Sequence, residues 1–229
     1  MITTRPVLPA PPGSTIRTER LILRPTRLSE VDVYHELRSN AQVMLNSASG
    51  LVDADREATQ QFLEKLVTGK YGPTYTFSIY VADKNVSLST DDNGADGDGG
   101  DALGDSRFIG NVGFYDMAKP AVGYMIRPEE WGRGYATEAL RGALGSYWRL
   151  PRNTIETEDD WLELKRYQTI EQDGSVKEGV RAMIEVMNAG SKRVVEKCGF
   201  TLVEGKEWIP EPDHRGPAKL IWYYIERPQ

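Results

Sequence analysis

Apolar and polar residues alternate along several short segments of the chain, and this two-residue period predicts β-strands. The clearest case is 74–82, TYTFSIYVA, where aromatic and β-branched side chains follow one another. The same pattern predicts strands over 18–25, 108–115, 122–126, 180–187, 201–209 and 219–226. Apolar residues at helical spacing predict helices over 29–37, from Asp53 or Asp55 to about 67, over 134–148 and over 190–197.

The order of these elements is strand, two helices, three strands, helix, strand, helix and two strands. Strands 108–115 and 122–126 are close enough in sequence to form a hairpin around 118–120. An antiparallel meander therefore leads into a helical crossover. The expected fold is a mixed α/β (α+β) domain with a central sheet flanked by helices.

Two segments interrupt the pattern. Residues 84–106 are rich in Asp, Gly and Ser and cannot bury enough apolar surface, so this segment is expected to stay disordered. A calcium loop that began at Asp96 would place Arg107 at its twelfth position, where a glutamate is needed, so no metal site is predicted. Residues 151–178 are polar, but apolar side chains at helical spacing predict a short packed helix there: Trp161, Leu162, Leu164 and Tyr167.

The first 15 residues contain several prolines and are predicted to be an extended or frayed lead-in to a single domain over 16–226. The first 18 residues hold two arginines and no acid, as a mitochondrial transit peptide would. The prolines disfavour the amphipathic helix that such a peptide uses, so we expect a cytoplasmic protein.

Composition narrows the range of functions that the chain can have. Of 229 residues 39% are hydrophobic and 27% charged, and no apolar run approaches the length of a membrane span, so a soluble globular protein is expected. The net charge of −6 argues against nucleic acid as a partner, because such binding needs a dense basic face. With Cys198 as the single cysteine and His35 and His214 as the only histidines, a disulfide within the chain is impossible and a Cys/His zinc cage is not expected.

The segment 122–140, VGYMIRPEEWGRGYATEAL, carries the most specific chemistry. A predicted strand ends, and Gly132, Gly134 and Ala136 open the next helix. Unpaired backbone N–H groups at a helix start form a site for a pyrophosphate, and small residues let the phosphate approach. Glycines that simply mark a turn are the alternative. The dinucleotide fingerprint G-x-G-x-x-G/A fits poorly, because Thr137 stands where its third small residue belongs.

The run from Trp131 to Ala136 resembles the Q/R-x-x-G-x-G/A acetyl-coenzyme A signature of the GNAT N-acetyltransferase superfamily. The longer WGRGYATEAL is similar to the branch that contains the ribosomal-protein alanine N-acetyltransferases, although Trp131 replaces the Gln or Arg of the general signature. A second block, Asn188 to Ser191 followed by EKCGF at 196–200, resembles the family's N-x-x-S…E-K-x-G-F. The resemblance covers about residues 16–226.

This resemblance implies a GNAT fold whose mixed sheet is splayed open between strands 122–126 and 180–187, with acetyl-CoA as cosubstrate and no metal. The pantetheine arm would lie in the opening, paired with main-chain groups of Met125, Ile126 and Arg127. Asn188 and Ser191 would contact the arm from the opposite side, although Asn188 also suits a helix cap. The pyrophosphate would bind at the glycine turn, whose residues are Gly132, Arg133, Gly134, Tyr135, Ala136 and Thr137.

The expected activity is acetyl transfer from acetyl-CoA to a primary amine by direct attack in a ternary complex. Glu185 resembles the glutamate of an L-E-V segment in some relatives and is the candidate base, with Glu30, Glu211 or water as alternatives. Ser191 is the candidate acid, because Val195 stands where many relatives carry a tyrosine.

The acceptor, a small-molecule amine or a protein N-terminal amine, is not readable from the sequence, nor is the choice between monomer and homodimer. The alternative functions are an acyl-CoA-binding sensor of the same fold and, more remotely, a dinucleotide-binding module.

Overall fold

The computed structural model describes residues 2–8, 14–47, 50–68, 74–82, 106–115, 120–156, 172–208 and 219–228. Several sequence predictions fall outside these residues. They are the acidic loop at 84–106 except for its last residue, the helix around Trp161, and Glu211.

Ten strands and five helices make up the described chain. The strands are β1 (Ile2–Pro6), β2 (Ile16–Arg17), β3 (Leu21–Pro25), β4 (Tyr75–Val81), β5 (Arg107–Tyr115), β6 (Ala121–Ile126), β7 (Arg152–Glu156), β8 (Gly179–Glu185), β9 (Thr201–Trp208) and β10 (Leu220–Glu226). The helices are α1 (Val31–Arg38), α2 (Ala41–Met44), α3 (Arg56–Thr68), α4 (Tyr135–Arg149) and α5 (Ala189–Lys197), with 3₁₀ turns at Leu28–Glu30 and Pro128–Glu130. Each strand and helix predicted from the periodicity within these residues is confirmed, with ends that differ by a few positions.

Eight strands form the central sheet in the order β2-β3-β4-β5-β6-β8-β10-β9. Neighbours are antiparallel except for β6 and β8, which run parallel and pair only at Ala121 and Arg181. Beyond that pair the two strands separate, so the sheet is open between them. The predicted mixed, splayed sheet is confirmed.

The two faces of the sheet are covered by different helices. On one face α4 buries an apolar stripe that includes Leu140 and Tyr147 against β3, β4 and β5. On the other face α1 and α3 bury Tyr34 and Leu63 against Tyr80 and its neighbours. The opening between β6 and β8 is thus bordered by α4 and α5 on one side and by the α1 side on the other.

The first residues have a partner that the sequence does not predict, because β1 pairs antiparallel with β7 in a separate two-stranded sheet. A buried carboxylate fixes this pair: Glu178 accepts hydrogen bonds from the Thr4 hydroxyl (2.9 Å) and from Arg152 Nε (2.7 Å). The Thr3 hydroxyl donates to the carbonyl of Val176 at 2.6 Å. The extended course of this segment agrees with the sequence, whereas its pairing depends on distant polar contacts.

None of the helices in the described ranges is long and apolar enough to cross a membrane.

Candidate active site

The start of α4 presents main-chain N–H groups that no side chain caps. Gly134 is the N-cap residue and adopts the left-handed conformation, with φ of 83°. The first helical hydrogen bond within α4 runs from the N–H of Glu138 to the carbonyl of Gly134 (3.1 Å), so the N–H groups of Tyr135, Ala136 and Thr137 precede it. Gly132 also has a positive φ, 75°, and a Cβ atom on it would meet nothing within 4 Å. This turn can therefore admit a phosphate group close to the backbone.

Arg20 fastens this turn to the beginning of β3. Its guanidinium donates to the carbonyl of Arg133 (Nη1, 3.0 Å) and to the carboxylate of Glu138 (Nε, 2.7 Å), and lies 4.7 Å from the centre of the Tyr135 ring. Burial raises the pKa of Glu138, but hydrogen bonds from Thr18 and Arg20 outweigh it and hold the pKa below its ordinary value. The glycine turn is thus held in place before any ligand arrives.

A surface groove of about 570 Å³ runs past the start of α4. Its lining includes three cationic side chains, Arg20, Arg141 and Lys197, and two carboxylates, Glu19 and Glu138. Arg133 is also about half exposed at the turn. The cations and the bare N–H groups together fit an anionic ligand such as a pyrophosphate.

Hydrogen bonds at the two ends of β6 show which of its residues direct their main-chain groups into the opening. Arg127 donates its N–H to the carbonyl of Ile109 on β5 (2.8 Å), and its own carbonyl accepts from Glu130 (3.0 Å). At the other end of β6, the carbonyl of Pro120 accepts from Arg181 on β8 (2.9 Å). Because neighbouring residues of a strand direct their main-chain groups to opposite sides, the even-numbered positions of β6 face the opening.

This parity distinguishes the three main-chain positions that the resemblance assigns to the arm. Ile126 faces the opening, and its carbonyl already accepts a hydrogen bond from the Trp131 indole N–H (2.8 Å), which leaves its N–H on that side. The main-chain groups of Arg127 are both bonded within the chain, and Met125 faces β5 by the same parity. The Arg127 side chain pairs with Glu36 on α1, and Met125 packs on the α1 side.

The other side of the opening is the first turn of α5. Asn188 is its N-cap residue, and the Asn188 Oδ1 atom accepts from the N–H of Ser191 at 2.9 Å. The carbonyl of Ser191 in turn accepts from the Tyr124 hydroxyl at 3.3 Å. The Ser191 side chain also lies within hydrogen-bond reach of the Tyr124 hydroxyl. Asn188 therefore serves as a cap, and its amide NH₂ group donates to no described residue.

The two sequence blocks meet in space. Cys198, just after α5, lies with its sulfur 3.6 Å from the carbonyl of Thr137 in the first turn of α4. Burial raises the pKa of the Cys198 thiol to about 11, so this cysteine is a poor nucleophile. Arg141 of α4 donates to the carbonyl of Lys197 at 2.6 Å. These contacts fix the glycine turn and the start of α5 relative to each other.

Two of the three candidate glutamate bases differ sharply in their surroundings. Glu30 is 5% exposed and accepts from the side chains of Arg24 (2.7 Å), Ser78 (2.7 Å) and Tyr80 (2.5 Å) and from the main chain of Arg27 (2.7 Å). A carboxylate engaged by four donors is a structural group that positions the start of α1 on the sheet.

Glu185 has the opposite character. It ends β8 and is half-buried, and its carboxylate has no hydrogen bond or ion pair with any described residue. Ile184 packs into the core on the α4 side, so Glu185 lies on the face that α1 covers farther along the sheet. Within the described ranges, no three His, Cys, Asp or Glu side chains are grouped as metal ligands.

Comparison with known proteins decides the family. The family model described as an acetyltransferase (GNAT) domain matches residues 20–201. The chain belongs to the GNAT acetyltransferases. Among curated protein sequences, none is similar enough to count as a relative.

Solved GNAT structures share the fold at low sequence identity. A GNAT acetyltransferase from Bacillus anthracis is 19% identical with a TM-score of 0.59, and the alignment covers 93% of this chain and 99% of that one. RimL, a ribosomal L7/L12 α-N-protein acetyltransferase solved with coenzyme A, is 15% identical with a TM-score of 0.64, over 93% and 98%. An acetyltransferase from Salmonella typhimurium that modifies the N-terminal serine of L7/L12 is 16% identical with a TM-score of 0.59, over 93% and 99%. The GNAT family predicted from the sequence is confirmed.

Proposed function

We propose that this GNAT acetyltransferase transfers the acetyl group of acetyl-CoA to a primary amine by direct attack in a ternary complex. The observation that carries the proposal is the placement of the opening between β6 and β8 beside the uncapped N–H groups of α4. The start of α4 can hold the phosphates while the opening receives an extended arm. Cytoplasmic location and a monomeric or homodimeric state remain predictions.

The N–H groups at Tyr135, Ala136 and Thr137 would hold the pyrophosphate, and Arg133 is free enough in solvent to contact it. The N–H of Ile126 would pair with the arm as an added strand.

From the other side, the Asn188 amide and the Ser191 hydroxyl complete the contacts that we propose for the arm. Acetyl-CoA supplies the activated acetyl group, and the protein aligns the amine with it. Holding two reactants in one orientation removes much of the entropic part of the barrier.

Glu185 is the proposed base that takes a proton from the ammonium group of the acceptor, so that the free amine can attack. The support is its carboxylate at the end of β8, which no described residue pairs with, in contrast to Glu30, whose oxygens are bound by four donors. A base without a competing partner can accept the proton at modest cost. Ser191 is the proposed donor near the departing sulfur.

The acceptor that we propose is an amine on a small molecule or at a protein N-terminus. RimL and the Salmonella typhimurium enzyme act on a ribosomal protein, which makes protein N-termini a class to include in any test.

Ligand-dependent unfolding tests the proposal. CoA and acetyl-CoA should raise the melting temperature at micromolar to millimolar concentration, because a ligand at about 100 times its Kd adds roughly 2.7 kcal/mol to the free energy of unfolding. NAD should not. Incubation of acetyl-CoA with pooled amines should then release free thiol. Stabilisation by NAD alone would contradict the proposal, and stabilisation by acetyl-CoA without thiol release would favour the sensor alternative.

A further inference from the structure

Tyr124 occupies a position in the opening that the sequence does not single out. It lies on β6 between the Ala121 position, where β6 still pairs with β8, and the glycine turn. Its ring packs against the core cluster on the α4 side and is half-buried. The hydroxyl reaches the carbonyl of Ser191 in the first turn of α5, 3.3 Å away. Tyr124 thus spans the opening from one side to the other.

The first turn of α5 offers few donors of its own. Val195 is fully buried and Val194 packs against the core, so the side chains of this helix that face inward are apolar. Two hydroxyl groups lie here, on Ser191 and on Tyr124. The contact from Tyr124 to the Ser191 carbonyl is longer than the usual 2.7–2.8 Å of a hydroxyl donor, so it can be exchanged for a better acceptor at little cost.

We propose that the Tyr124 hydroxyl donates a hydrogen bond to the sulfur that departs during acetyl transfer. This proposal rests on the proposed function, because it concerns a thioester held in the opening. The nitrogen lone pair of the amine forms the C–N bond, and the C–S bond breaks with its electron pair left on sulfur. Tyr124 stabilises that negative charge. The amine loses one proton to the base, and sulfur finally takes up one proton, so the products are an acetamide and a free thiol.

The ionisation of Tyr124 agrees with this role. Burial raises the pKa of Tyr124 to about 12, and nearby Cys198 adds to the rise, whereas the hydrogen bond with Ser191 opposes it. The pKa of the Cys198 thiol is itself raised, to about 11, so neither group is charged near neutral pH. Tyr124 therefore keeps its proton and remains a donor.

Binding measurements test this without turnover. The affinities of CoA and of desulfo-CoA, which lacks the thiol, are measured by calorimetry between pH 6 and pH 10 for the wild type, Tyr124→Phe, Ser191→Ala and Tyr223→Phe. Tyr223→Phe is the matched control, because its hydroxyl also contacts α5, but at Glu196 (2.9 Å). A donor to the thiolate should lower the pKa of the bound thiol by about one unit, since hydrogen bonds to charged groups are the strong ones.

We expect the ratio of CoA affinity to desulfo-CoA affinity to rise with pH in the wild type and in the Tyr223→Phe control. In Tyr124→Phe this rise should be about tenfold smaller. Affinity for desulfo-CoA should be equal in the wild type, Tyr124→Phe and Tyr223→Phe, which also shows that these two variants are folded. It should be lower in Ser191→Ala, because the Ser191 hydroxyl is one of the proposed contacts of the arm. Turnover of Tyr124→Phe should fall about 10²-fold.

Equal pH dependence in the wild type and Tyr124→Phe would overturn the role of Tyr124 and leave the proposed function intact. Loss of the pH dependence in Ser191→Ala but not in Tyr124→Phe would leave Ser191 as the donor to the sulfur and overturn the role of Tyr124. No binding of CoA to the wild type would overturn the proposed function itself.

Discussion

Replacing Gly134 by valine should abolish CoA binding while the protein stays folded. The φ of 83° at Gly134 lies in the left-handed region, where a residue with a β-carbon costs about 1–2 kcal/mol of folding free energy. In the absence of CoA the new Cβ would meet only Arg20 Nη2, at 3.5 Å, which is an ordinary contact. The fold should therefore survive with a lower melting temperature.

CoA affinity falls because the valine side chain fills the space in front of α4 that a phosphate needs. Each hydrogen bond to a charged group contributes about 1.5–3 kcal/mol, so a phosphate held away from two N–H groups loses about 10²-fold or more in Kd. Calorimetric titration with CoA measures this, beside thermal unfolding of both proteins. Gly145→Ala is the control within the same helix. Its Cβ would meet only Arg149 Nη1 at 3.6 Å, so it should leave CoA affinity unchanged and stabilise the helix by about 0.5–1 kcal/mol. Unchanged CoA affinity in Gly134→Val would refute the assignment of the glycine turn.

Four further substitutions, three of them at carboxylates, test the remaining roles. Glu185→Gln should lower turnover about 10²-fold or more, leave CoA affinity unchanged and flatten the acid side of the pH–rate profile, whereas Ser191→Ala should be milder in steady-state assays. Wild-type turnover in Glu185→Gln would exclude Glu185 as the base. Glu30→Ala should lower the free energy of unfolding by about 3–5 kcal/mol, measured by urea titration, because it leaves the buried Arg24 guanidinium without its carboxylate. A loss below 1 kcal/mol would contradict the structural role. For Glu138 the folded pKa lies below its ordinary value of 4.5, so its contribution to stability is present above pH 4.5 and is lost as the pH falls through the folded value. Glu138→Gln should therefore destabilise the protein by about 1 kcal/mol at pH 7 and by less at about pH 3, in paired thermal unfolding curves. A loss of stability that is the same at both pH values would contradict the role of the Glu138 charge.

Most of the fold could be predicted because its signals are local. Strand β4 alternates β-branched and aromatic residues, and α4 carries its apolar stripe at helical spacing, so periodicity alone places both. The pairing of β1 with β7 could not be predicted. It joins segments about 150 positions apart and depends on the buried Glu178 carboxylate, for which no local pattern exists.

Some features of the candidate site could be predicted from the sequence, and others could not. Gly134 and the Asn188 cap follow from residue type and spacing, because a turn with positive φ needs glycine and a helix start favours asparagine. The Tyr124 contact with Ser191 joins residues 67 positions apart. The hydrogen bonds that occupy the Glu30 carboxylate need donors from two other elements, β3 and β4. Such contacts exist only once the chain is folded.

The claim that this protein acetylates amines is tested most directly by its product. Wild-type protein and Gly134→Val are incubated with acetyl-CoA and a library of amines that includes peptides with free N-termini, and the mixtures are analysed by mass spectrometry. The account predicts one or more amines heavier by a single acetyl group with the wild type, and none with Gly134→Val. Thiol release without any acetylated amine, or equal product from both proteins, would contradict it.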